Sequence, residues 1–163
     1  MEKAIFGGGC FWCTEAVFKM LKGVKTVLPG YSGGKAEDAT YEKVLTGKTS
    51  HAEVTYIEYD PREVNYKKLL EIFFSSHDPT TVNRQGNDIG SQYRSVIFYT
   101  TEGQKQEASE YIKSIPGAVT ELESFREFFK AENYHQNYYE NHKDEPYCKI
   151  VIEPKVIKIK RML

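Results

Sequence analysis

Only three cysteines and one tryptophan occur among 163 residues, and no apolar run approaches the length needed to cross a bilayer. So few cysteines, and an odd number, exclude a disulfide-stapled framework and leave catalytic or metal-binding thiols as the live options. Charge of one sign is missing too: 23 acidic residues against 22 basic ones favour neither nucleic acid nor an anionic membrane as partner. The single local bias, Lys155, Lys158, Lys160 and Arg161, reads as a solvated basic stretch. Met1 to Phe6 reaches glycine after two apolar residues, without the apolar core of a signal peptide, so a cytoplasmic protein is expected. Repeats, low-complexity segments and linkers are absent. With 40% hydrophobic residues the chain can bury a core, and one domain over residues 1–163 is expected.

What is present alternates between strand and helix patterns. Lys3 to Gly7 reads as a strand running into three glycines, followed by helical spacing from Thr14 to Leu21 that stops at Gly23. Val24 to Pro29 is strand-like, Gly30 to Gly34 a loop, and Ala52 to Tyr59 alternates up to Asp60-Pro61. Tyr66, Leu69, Leu70 and Phe73 mark an amphipathic helix. The polar stretch from His77 to Gln92 is too long for a mere connection and suggests function. Tyr93 to Thr100 reads as a strand, and Thr101 caps a helix that ends at Pro116-Gly117. A weaker helical pattern covers Ser124 to His142. Residues 143–163 are expected to be extended, with Pro154 at an edge or turn.

The chemistry concentrates in Gly7-Gly8-Gly9-Cys10-Phe11-Trp12-Cys13. Cys10 falls at a strand-to-helix turn, where unpaired amides and the helix dipole favour a thiolate, and the glycines let a substrate approach the backbone closely. Cys10 and Cys13 form a C-x-x-C pair suited to dithiol exchange, the signature of a general thiol-disulfide oxidoreductase. A zinc-stabilised binding module is a second alternative, with His142 and Cys148 completing an irregular ligand set. The glycine run is no dinucleotide fingerprint, because Trp12 stands where the third glycine belongs. His51, His77, His135 and His142 are spread along the chain and are read as structural.

Several blocks occur in order through nearly the whole chain: Gly9-Cys10-Phe11-Trp12, Gly30-Tyr31-Ser32-Gly33-Gly34, Tyr41, His51-Ala52-Glu53-Val54, Tyr59-Asp60-Pro61, His77-Asp78-Pro79-Thr80, Asn83 to Gly90, Gln92-Tyr93-Arg94-Ser95 and His135-Gln136. In these the chain resembles the methionine sulfoxide reductase A family. The resemblance implies reduction of methionine-(S)-sulfoxide, free or in oxidised proteins, with electrons from thioredoxin or, in the test tube, dithiothreitol, and without a bound cofactor or metal. It implies Cys10 as nucleophile and Glu53 as the acid that a sulfoxide oxygen needs before its sulfur becomes electrophilic. Tyr41 and Tyr93 match hydroxyls that bond this oxygen. Phe11 and Trp12 match the apolar pocket for the S-methyl group, and Asp88 a pocket residue near the nucleophile. Cys148 resembles the usual recycling cysteine and is expected to attack the Cys10 sulfenic acid first. Cys13, where the family pattern often has a small residue, is left a relay or a packing role. The fold expected is α+β, a two-layer α/β sandwich with a ferredoxin-like core, a mixed sheet and long surface loops. A monomer without nucleic-acid or membrane partners is expected.

Overall fold

The computed structural model describes residues 1–163. Its elements in chain order are β1 (Glu2–Gly7), α1 (Phe11–Phe18), β2 (Val24–Ser32), α2 (Tyr41–Val44), β3 (Ala52–Tyr59), α3 (Tyr66–Ser76), the short hairpin β4 (Arg84–Gln85) and β5 (Asp88–Ile89), β6 (Val96–Tyr99), α4 (Glu102–Lys113), β7 (Glu121–Ser124), β8 (Phe128–Lys130), α5 (Tyr138–Asn141) and α6 (Glu153–Lys160). Six strands form one sheet in the order β7-β6-β1-β3-β2-β8. Its middle four, β6-β1-β3-β2, pair antiparallel with α1 and α3 as crossovers, which is the ferredoxin-like β-α-β-β-α-β arrangement. Strand β7 joins parallel to β6, and β8 antiparallel to β2, so the sheet is mixed.

Period-two alternation assigns each strand residue a face. Along β3, Ile57 and Tyr59 join Ala4, Phe6, Val27 and Ile97 in the core beneath α1, α3, α4 and α6, while Ala52 and Val54 join Ile5, Val96 and Phe98 on the opposite face. By the same alternation Glu53 projects to the helix side. Phe125 and Phe128 fold over the opposite face. There a polar cleft of about 680 Å³, lined by Lys35, Ser50, Glu123 and Arg126 among others, contains none of the thiols. Helix α1 has apolar residues all round and is buried except at Trp12, as such a helix must be. No helix is long and apolar enough to cross a membrane.

Four sequence expectations are corrected. The stretch from Cys148 is not extended: a π-helical turn over Cys148–Ile152 runs into α6. Its β-branched residues suggested a strand, but Cys148, Ile152 and Ile159 are buried at helical spacing, and Pro154 sits where the π-helical turn passes into α6. The helical pattern from Ser124 to His142 shrinks to the four residues of α5, the rest being β8 and turns. Gly30 to Ser32 continue β2 instead of forming a loop, because Gly30 leaves room for the Phe128 ring of β8. Lys155 is half-buried instead of solvated.

Candidate active site

Cys10 is the N-cap of α1, with an extended backbone and no capping bond from its side chain. Gly9 (φ +85°) makes the turn into the helix in a conformation that other residues rarely adopt, and its N–H donates to the carbonyl of Tyr93 at 3.1 Å. This bond ties the start of α1 to the 3₁₀ turn Ser91–Tyr93.

Glu53 reaches the same helix start from below. Its carboxyl group is 2% exposed, and Oε1 accepts from the N–H of Phe11 at 3.2 Å. Burial pushes its pKa up to about 8, so it holds a proton at neutral pH. The Cys10 thiol is also raised well above its ordinary value, by burial first and by Glu53 and Cys13 next, against one favourable amide from Trp12. The helix start alone favours a thiolate, and here desolvation outweighs it. The resting pair is therefore a thiol beside a carboxylic acid.

Two phenols complete the charge-sensitive shell. Tyr41 opens α2, and its N–H donates to Glu132 Oε2 at 2.9 Å, while Tyr31 donates its hydroxyl to Oε1 of the same carboxylate at 2.8 Å. Burial, with Glu53 and Cys10 close by, raises the Tyr41 phenol to about 12 and moves Tyr93 in the same direction. Both hydroxyls thus stay protonated as donors.

The apolar wall is built by rings. Trp12 stacks on Tyr138 (3.6 Å, 4°) and meets Tyr147 edge-on at 5.8 Å. Its indole N–H donates to His135 Nδ1 at 3.0 Å. That fixes the neutral tautomer with the proton on Nε2, which is buried and unpartnered. His135 also lies 5.0 Å from the Phe11 ring and 4.3 Å from Tyr41. Buried Glu15 of α1 accepts from the N–H of Asn137 at 3.0 Å, which holds α5 and its Tyr138 over Trp12. The Tyr147 hydroxyl donates to Asp88 Oδ2 at 2.7 Å, joining the β4–β5 hairpin to the C-terminal segment.

Cys13 and Cys148 belong to one buried cluster with Cys10, Phe11, Ala16 and Ile152, and all three thiols are free. No group of three or more His, Cys, Asp or Glu side chains is arranged to hold a metal ion. His142 bonds the Tyr138 carbonyl through Nδ1 (2.9 Å) and stacks on its ring.

Every residue expected at the site thus lies in this one region: Cys10, Cys13, Glu53, Tyr41, Tyr93, Phe11, Trp12, Asp88 and Cys148. His135, Tyr138, Tyr147 and Glu132 were not anticipated. His135 stands in one of the matched blocks and Tyr147 precedes Cys148, but nothing in their spacing connects them to Trp12.

A family model described as peptide methionine sulfoxide reductase matches residues 2–163. The chain belongs to the peptide methionine sulfoxide reductase family. The peptide methionine sulfoxide reductase MsrA of Sulfolobus acidocaldarius is 59% identical over 97% of this chain and 93% of that protein. Among solved structures, reduced Mxr1 from Saccharomyces cerevisiae is similar at a TM-score of 0.84 and 31% identity, covering 90% of this chain and 88% of that one. Mxr1 in complex with Trx2 is similar at 0.58 and 24% identity, over 84% of each chain. Members of this family are oxidoreductases that reduce methionine sulfoxide, and the mixed α+β fold is that of the family's solved structures.

Proposed function

We propose that the protein reduces methionine-(S)-sulfoxide, free or within oxidised proteins, through a sulfenic acid on Cys10 and an intramolecular disulfide, in repair of oxidised proteins. The observation that carries this reading is the buried, protonated Glu53 bonded to the amide beside Cys10: an acid and a thiol share one helix start. Exchange between thiols moves no oxygen atom, so it does not require an acid that activates one.

The substrate's S-methyl group enters between Phe11 and Trp12, and its oxygen is directed toward Tyr41, Tyr93 and Glu53. Glu53 gives its proton to the sulfoxide oxygen and the Cys10 sulfur attacks the substrate sulfur, its own proton returning to Glu53. The net step moves the oxygen from substrate to Cys10, leaving methionine and a sulfenic acid. The opposite epimer sets its oxygen against aromatic carbon, where no donor meets it, and is rejected. Asp88 and Tyr147 hold polar groups in register beside the nucleophile.

A second thiol of the cluster, Cys13 or Cys148, then forms the disulfide, and thioredoxin reduces it. The family resemblance and the Mxr1–Trx2 complex support that partner. The protein then works as a single domain without a resident cofactor. The test is a single turnover: reduced protein mixed with methionine-(S)-sulfoxide and no reductant should release methionine in proportion to protein. Release from the R epimer alone, or none from wild-type protein, overturns the reading.

A further inference from the structure

The carboxylate of Glu132 uses both of its oxygens on two tyrosines. Oε1 accepts from the Tyr31 hydroxyl at 2.8 Å, which has that one partner, and Oε2 accepts from the Tyr41 N–H at 2.9 Å. Burial works against ionisation, but the amides of Tyr41 and of Glu132 itself and the Tyr31 hydroxyl outweigh it, so the group stays a carboxylate at neutral pH.

One end of this bridge is rigid. Tyr31 lies fully buried on β2 and pairs in register with Glu53 of β3, so the two side chains stand side by side on the helix face of the sheet. The backbone that carries Glu132 is fixed to the same strand. The Ala131 N–H donates to the Pro29 carbonyl at 3.0 Å, and Gln136 Nε2 donates to the carbonyls of Pro29 and Ala131, each at 3.1 Å. The other end is not rigid by itself. Helix α2 has four residues, with Tyr41 first; its side-chain cap is Thr40, accepting from the Lys43 N–H, and so short a helix does not hold its own position.

We propose that Glu132 is a positioning residue for the sulfoxide-reducing step: it ties the head of α2 to the strand pair that carries Glu53, and thereby sets where the Tyr41 hydroxyl meets the substrate's oxygen. The inference rests on the sulfoxide-reductase reading. An oxygen that takes a proton from Glu53 must lie within reach of Tyr41 at the same moment, so the spacing between these two groups decides what the phenol contributes. Through Tyr31 and Glu132 that spacing runs over one strand rung and two hydrogen bonds. A displacement of about 1 Å at a reacting group can slow a reaction roughly 10²-fold. Glu132 exchanges no proton in this step and acts through Tyr41.

The experiment is the reductant-free single turnover with methionine-(S)-sulfoxide, methionine release being timed at saturating and at limiting substrate. Two phenols address one oxygen, so the variants are compared in a Tyr93→Phe background, where Tyr41 is the remaining one of the two. There Glu132→Ala should lower the saturated rate about 10–100-fold and move half-saturation by less than about threefold, because the Phe11–Trp12 pocket is untouched. Adding Tyr41→Phe should then slow release by no more than about twofold, since the donor position is already lost. Glu132→Gln keeps both links, its amide oxygen accepting from the Tyr41 N–H and its amide nitrogen donating to the Tyr31 oxygen, and should stay within about threefold of the parent. A Glu132→Ala rate equal to the parent's overturns the inference. So do Glu132→Ala and Tyr41→Phe effects that multiply, or a Glu132→Gln as slow as Glu132→Ala. Should Tyr93→Phe alone abolish release, the same comparisons are read in wild-type protein. Should Glu132→Ala not fold, Tyr31→Phe, which keeps the ring and removes the hydroxyl, takes its place: it must slow release, and must do so only while Tyr41 is present. If wild-type protein releases no methionine, the parent reading has failed instead.

Discussion

Glu53 owes its acidity to position. A carboxyl group in water would titrate in the ordinary range, whereas on the helix side of β3 it is 2% exposed, with a pKa of about 8. Because that pKa is raised, the useful protonated form fills below it and empties as pH rises through it. Methionine release in the first turnover should therefore fall above about pH 8, as followed by stopped-time assay. Glu53→Gln keeps an acceptor for the Phe11 amide but has no proton to give, and should slow that release by about 10²–10⁴-fold while removing the descending limb. Cys10 and Glu53 were legible in the sequence because each sits in a compact motif. The His135 tautomer was not, since it depends on a tryptophan 123 residues away.

Among the elements, the core strands and α3 were legible, each carrying an unbroken hydrophobic period. The C-terminal segment was not: Ile150, Val151 and Ile152 read as strand by propensity, whereas Cys148 and Ile152, one helical turn apart, are the residues that bury against α1. Ile152→Ala should accordingly cost about 2–5 kcal/mol, read as a lower urea midpoint, as a fully buried core position requires. The short helices α2 and α5 escape sequence reasoning because four residues cannot hold a helix unaided; Glu132 and Glu15 anchor them from distant elements. At the end of α3, burial depresses the His77 pKa from 6.5 to about 4. The unfolded chain then binds more protons between those values, so stability is full above pH 6.5 and declines as pH falls toward 4. A urea midpoint measured across that window should drop, and His77→Gln, which remains neutral, should flatten the slope.

For the molecule as a whole, three free thiols close to one another mean that oxidation can be counted. One turnover without reductant should leave one free thiol of the three, and Cys10→Ser should leave its remaining two thiols untouched and release no methionine. Thiol titration beside methionine analysis checks both numbers.

The way the pocket is shared along the chain has a consequence for its birth. Cys10 and Glu53 emerge from the ribosome well before Glu132, His135, Tyr138 and Tyr147. At about 5–20 residues per second the interval from Glu53 to Tyr147 lasts on the order of 5–20 s. During it the nascent chain carries its nucleophile with neither the aromatic wall nor the C-terminal helix over α1. A growing chain is thus exposed to the same oxidants that make its substrate, and it gains its protection only once the segment around Tyr147 has been made.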